Sequence, residues 1–156
     1  MTPDIPFETA TLPYLDSLYR TAFRMVYDQA AAERCVERTY LEARASYGTR
    51  DTPDGRVWLY ATLFRILHRR RKAWFPAARP SDHYGMLAML DNIPAILREV
   101  VLLADVEGFN RSEIQAILEI PAETVGTRLM EGRIRLRTGL ADMAAGAPLA
   151  QGPAVV

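Results

Sequence analysis

Apolar positions along the chain recur at intervals of three and four, the spacing that turns one face of an α-helix toward a core. Leu12 and Pro13 open the first such pattern, which continues through Leu15, Leu18, Tyr19, Ala22, Phe23, Val26 and Tyr27. A second begins near Ala30 and runs through Cys35, Val36, Thr39, Tyr40 and Ala43 to Tyr47-Gly48, where glycine suits a helix stop. The turn formers T-R-D-T-P-D-G then separate it from a third, which starts at Arg56 and carries Val57, Trp58, Tyr60, Ala61, Leu63, Phe64 and Leu67. It closes on H-R-R-R-K, cations that complement a helix C-terminus.

The pattern lapses between Pro76 and about Leu87, a stretch with two prolines and a glycine, and resumes from Met89 to Ala104 with Pro94 at a helix start. Gly108 closes that helix. Asn110 followed by Glu113 forms a capping-box-like start for a short helix with Ile114, Ile117 and Leu118 on its apolar side. Pro121 forbids its continuation, and Thr124, Val125 and Leu129 resume helical spacing after a turn of about four residues, the length used in helix-turn-helix units. The expected architecture is all-α: a helical domain over 1–76, a linker over 77–88, a helix-turn-helix domain over 89–140 and a flexible tail over 141–156.

Composition narrows the possible functions. Nearly half of the 156 residues are apolar, enough for folded cores, and the formal net charge is zero. Nucleic-acid affinity must therefore come from local clusters of cations rather than from a global field. No apolar run is long enough to span a membrane and the N-terminus lacks the pattern of a secretory signal, so a cytoplasmic location without membrane insertion is expected. Cys35 has no disulfide partner and only His68 and His83 accompany it, which leaves no zinc cluster. No nucleophile elbow or phosphate loop is present, so no enzymatic activity, cofactor or small-molecule substrate is expected.

The run D-N-I-P-A-I-L-R-E-V-V-L-L-A-D-V-E-G-F-N-R-S-E-I-Q-A-I-L-E-I-P-A-E-T-V-G-T-R-L closely resembles region 4 of the extracytoplasmic-function (ECF) group of bacterial sigma-70 factors. Upstream, L-P-Y-L-D-S-L-Y-R-T-A-F-R-M, A-E-R-C-V-E-R-T-Y-L-E-A and V-W-L-Y-A-T-L-F-R-I-L-H-R-R-R-K resemble region 2, in the family's order. The resemblance implies an initiation subunit that joins core RNA polymerase to promoter DNA and is controlled by an anti-sigma factor.

On that resemblance, Arg111, Ser112, Thr124, Thr127, Arg128, Arg133, Arg135 and Arg137 are the region 4 candidates for DNA contact. Thr124, Thr127 and Arg128 would read base edges, with Arg128 first because a guanidinium can bond two acceptors of guanine at once. Arg133, Arg135 and Arg137 would meet phosphates. In region 2, Arg65, Arg69, Arg70, Arg71, Lys72 and Trp74 would follow a melted single strand, cations along the phosphates and the ring against bases. Glu33, Arg34, Glu37, Arg38 and Tyr40 would dock on the polymerase. The chain departs from the family's pattern at Arg34, Arg38, Arg65 and Arg69, and in the recognition helix at Glu123, Gly126 and Glu131. Those departures motivate an alternative, a degenerate sigma-like module that binds an anti-sigma factor as a decoy.

Overall fold

The computed structural model describes residues 5–48, 55–70 and 86–146, and the chain is all-α, with no strand among the described residues. It divides into two compact units, one built mainly from residues 1–77 and the other mainly from 78–156. The basic stretch beyond Arg70, most of the expected linker and the last ten residues lie outside the described positions.

The first unit comprises α1 (Phe7–Thr11), a 3-10 turn (Leu12–Tyr14), α2 (Leu15–Val26), α3 (Gln29–Ser46) and α4 (Gly55–Arg69). The spacing anticipated α2, α3 and α4 but not α1, whose five residues are too few to display a period. Asp28 starts α3 one residue earlier than the apolar pattern suggested, because its carboxylate accepts the Ala31 amide at 2.6 Å. Gly48, at φ +80°, stands just beyond the end of α3, in the left-handed region open to glycine. Leu18, Ala22 and Met25 of α2 pack with Cys35, Val36 and Ala43 of α3 and with Leu63, Phe64 and Leu67 of α4 as a buried core. Burial also pushes the Cys35 thiol up, against the opposing pull of Arg70 and Arg34. Cys35 is thus a core residue, as its place in the α3 pattern suggested.

The second unit comprises α5 (Met86–Asn92), α6 (Ala95–Val101), a π-helical turn (Leu102–Val106), the larger part of α7 (Arg111–Leu118) and α8 (Ala122–Ala144). Pro94 caps the start of α6, and α5 already occupies Met86 onward, inside the stretch assigned to the linker. After the π-helical turn, Gly108 at φ +76° reverses the chain, and Phe109 donates its amide to Leu103 O at 2.9 Å. The turn between α7 and α8 is three residues, Glu119 to Pro121, with Glu119 in the left-handed region at φ 54°. Alpha-helical structure persists to Ala144, so the first residues of the expected tail are ordered as the last turn of α8.

Helix α8 lies against α6 at unusually short range. A β-carbon placed on Gly132 would stand 2.6 Å from Val101 Cγ2 and 3.6 Å from Leu97 O, so only glycine lets the two helices approach this closely.

Candidate nucleic-acid and partner interfaces

The helix-turn-helix is built from the loop upward. Asn110 Oδ1 accepts the Glu113 amide at 2.9 Å while Glu113 Oε2 accepts the Asn110 amide at 2.8 Å, a complete capping box that fixes where α7 begins. Ser112 and Arg111 are exposed on its first turn. Pro121 then starts α8, with Thr124 half-buried and Thr127 exposed on its first two turns. The Thr127 hydroxyl donates to Glu123 O at 2.9 Å, which orients its oxygen along the helix surface.

Most of the arginines on α8 are not free cations. Arg128, only a quarter exposed, turns inward to Glu99 of α6 at 3.5 Å, and Glu99 itself is 1 % exposed. Arg133 forms a fork with Asp105 of the π-helical turn, Nε to Oδ2 at 3.0 Å and Nη2 to Oδ1 at 2.6 Å. That hydrogen-bonded fork raises the Arg133 pKa, with the Asp105 charge adding to it and partial burial opposing it. Arg135 pairs with Glu131 one turn earlier at 3.0 Å, an exposed contact of the kind worth about 0.3–0.5 kcal/mol and easily opened. Arg111 and Arg137 have no acidic partner among the described residues. Both line one open groove, together with Gly126, Thr127, Met130 and Ile134.

The first unit carries a different kind of surface. Between α1, the 3-10 turn and the start of α2 on one side and α3 on the other runs an open groove of about 890 Å³. Val36 and Tyr40 form part of its floor, and Leu12, Leu15 and Leu41 stand exposed along it. Tyr40 is pinned there by its hydroxyl, which donates to Thr11 O at 2.8 Å, and burial pushes that hydroxyl above its ordinary pKa. Glu8, Asp16, Glu33 and Glu37 rim the groove, with Arg44 bridged to Glu8 at 3.2 Å. Of the residues assigned to polymerase docking, the fold brings Glu33, Glu37 and Tyr40 to this groove and leaves Arg34 and Arg38 off its lining. Leu12 and Leu15, which the apolar spacing assigned to a core-facing helix side, stand exposed on this groove instead, and Leu41 lay outside every apolar pattern.

Arg38, Arg65 and Arg69 instead converge on one carboxylate. Glu42 of α3 receives Arg38 Nε at 3.0 Å and Arg69 Nη1 at 3.1 Å, with Arg65 Nη2 at 3.8 Å. Partial burial alone would raise the Glu42 carboxyl, but hydrogen bonds from Arg38 and Arg69 and their charges outweigh it and hold the pKa below its ordinary value of 4.5. A depressed carboxylate contributes stability that is fully present above its unfolded pKa and is lost as pH falls through the lower folded value. Thermal melting of the wild-type chain is therefore expected to drop more steeply below pH 4.5 than that of Glu42→Gln. Parallel acid profiles for the two chains would show that the three arginines do not stabilise the charged form. Arg70 is exposed beyond the end of α4, while Arg71, Lys72 and Trp74 lie outside the described residues.

No group of three or more potential metal ligands occurs among the described residues, and no described helix is long and apolar enough to cross a membrane.

Comparison with known proteins agrees with this architecture. The model of the family described as Sigma-70, region 4 matches residues 85–136. The ECF RNA polymerase sigma factor SigE of Mycolicibacterium smegmatis is 28 % identical over 151 residues, covering 82 % of this chain. The alignment spans 59 % of SigE's own length. Among solved structures, the sigma factor RpoE in complex with the anti-sigma factor NepR from Bartonella quintana superposes with a TM-score of 0.70 at 22 % identity, over 86 % of this chain and 96 % of that one. CnrH in complex with the cytosolic domain of CnrY gives 0.68 at 21 % identity, over 85 % and 84 %. The PhyRSL–NepR complex from Sphingomonas sp. Fr1 gives 0.69 at 21 % identity, over 86 % and 88 %. These structures share its fold, and the chain resembles the sigma-70 family in two ways: residues 85–136 match its region 4, and most of the chain is similar to an ECF sigma factor.

Proposed function

We propose that the chain is an initiation sigma factor acting in the cytoplasm, in which the first unit docks on core RNA polymerase and the second holds promoter DNA. The carrying observation is the capped helix-turn-helix inside the region 4 match, with Arg111, Thr127 and Arg137 on one exposed face. DNA phosphates would position this face through Arg111, Ser112 and Arg137, with Thr124 and Thr127 nearest the base edges. The groove of the first unit supplies an apolar anchor ringed by carboxylates, a surface that selects a helix with apolar and basic residues. The basic residues from Arg70 to Lys72, with Trp74, are assigned to the melted strand on sequence grounds. No step in this role requires an enzymatic centre or a cofactor.

A second reading, a decoy that captures an anti-sigma factor without starting transcription, draws on one specific observation: Arg128 and Arg133 are tied to Glu99 and Asp105 rather than free for DNA. Its partner class is consistent with the anti-sigma factors bound by the structurally similar RpoE.

The test is reconstitution with core polymerase and a promoter library. The wild-type chain is expected to bind core and yield promoter-specific transcripts. Leu41→Glu, at a position 59 % exposed, should keep the fold and weaken core binding at least tenfold, the scale of losing an interface anchor. A wild-type chain that binds an anti-sigma factor tightly but never binds core would overturn the initiation reading in favour of the decoy.

A further inference from the structure

The four arginines at which the first unit departs from the region 2 pattern stand on one surface. Arg34 and Arg38 lie one turn apart on α3, and Arg65 and Arg69 lie one turn apart on α4, all four exposed. Glu42 joins the two rows, because Arg38 and Arg69 both donate to its Oε1 and Arg65 approaches its Oε2. Arg70 follows Arg69, and it and Arg34 both act on the buried Cys35 thiol, so the far ends of the rows also come near each other. Five guanidiniums thus accompany one carboxylate in a chain whose formal net charge is zero. The side chains of Arg38, Arg65 and Arg69 are 45 to 61 % exposed, open to an outside acceptor. A guanidinium carries five N–H donors, and Arg38 and Arg69 each give only one to Glu42.

We propose that this α3–α4 face is a docking surface for an acidic helical segment of a partner protein, one that carries Asp or Glu four residues apart. Residues four apart on a helix are spaced by about 6 Å along its axis, so carboxylates on a partner helix keep step with the arginines of each row. Arg38 and Arg69 already hold a carboxylate here, and the donors they keep can grip a second one in the same way. A single nucleic-acid strand, by contrast, is held by cations interleaved with exposed rings, and Trp58, Tyr60 and Phe64 of α4 are buried. Helix α3 therefore has two signs. Glu33 and Glu37 rim the apolar groove, whereas Arg34 and Arg38 stand one residue further on, about 100° around the helix. The groove suits a basic helix and the arginine face an acidic one, and each surface repels the partner of the other.

The experiment selects binders to the full chain from a displayed library of helical peptides randomised on one face, with the double variant Arg34→Glu, Arg70→Glu as the counter-target. Neither of these arginines has an acidic partner among the described residues, so the double variant should fold as the wild type does, and thermal melting checks that. Peptides that prefer the wild-type chain are expected to carry Asp or Glu four residues apart. They should bind the double variant at least about tenfold more weakly, the effect of setting like charges opposite each other. Changing the acidic residues of a selected peptide to Lys, one position at a time, should yield a peptide that regains affinity for the double variant. A merely structural role for the arginines would not give that exchange. Failure of the wild-type chain to enrich acidic peptides, or equal binding of the enriched peptides by the double variant, overturns the proposal. Tighter binding of an oligothymidylate than of any selected peptide, lost on the same substitutions, overturns it in favour of a nucleic-acid strand.

Discussion

Gly132→Val is expected to destabilise the second unit by about 3 kcal/mol, the upper end of what overpacking a close-packed contact costs. The reason is geometric. Even the first added carbon would stand 2.6 Å from Val101 Cγ2, inside any tolerable contact, and the carbonyl of Leu97 closes the other side at 3.6 Å. Val101 cannot readily turn away, because a β-branched side chain in a helix has one strongly preferred rotamer and this one is buried. Gly132→Ala should be milder, since alanine recovers about 1 kcal/mol of helix propensity against the same contact. Combining Gly132→Ala with Val101→Ala removes the opposing methyl groups, so the pair should be more stable than the sum of the single effects predicts. Thermal melting followed by circular dichroism reads all three, with a loss of more than about 10 °C expected for the valine variant if the unit melts alone. A valine variant as stable as wild type would mean that α6 and α8 do not pack at this distance.

Gly132 also marks the limit of what the amino-acid sequence discloses. Within the run M-E-G-R-I-R-L-R it looks like any glycine in a helical pattern, and only the approach of α6 gives it a role. The helices themselves were legible, because apolar spacing, the Asn110–Glu113 box and Pro121 all act within a few residues of one another. The pairings of the arginines were not. Arg128 and Glu99 are 29 positions apart, and Arg133 and Asp105 are 28 apart, on separate helical segments in each case. Periodicity reports only neighbours on one helix, so it ranked Arg128 and Arg133 as free cations. The same limit hid Glu42, whose partner Arg38 lies one turn away but whose partner Arg69 comes from α4. The groove of the first unit depends on α1, an element too short to show a pattern, and so its apolar wall emerged only with the fold.

Arg128→Ala is expected to lower the stability of the second unit by about 2–3 kcal/mol, and its effect on DNA binding should follow from that loss rather than from a missing base contact. Glu99 is 1 % exposed, so its charge was taken out of water on folding, and the Arg128 guanidinium at 3.5 Å is part of what compensates it. Removing one partner of a buried pair typically costs about 3–5 kcal/mol, and the lower figure applies here because Arg128 is itself a quarter exposed and Glu99 keeps further interactions. The pairing competes with base reading for a single guanidinium: bonding guanine would require Arg128 to leave Glu99 and pay that cost again at each encounter. Two measurements separate the roles. Glu99→Gln combined with Arg128→Met removes both charges together and should recover most of the stability lost in Arg128→Ala. If the double variant also keeps the wild-type order of preference among promoter sequences, Arg128 supports α8 from beneath and the reading passes to Thr124 and Thr127. A full-strength fold whose sequence preference has collapsed would instead return Arg128 to the base edges.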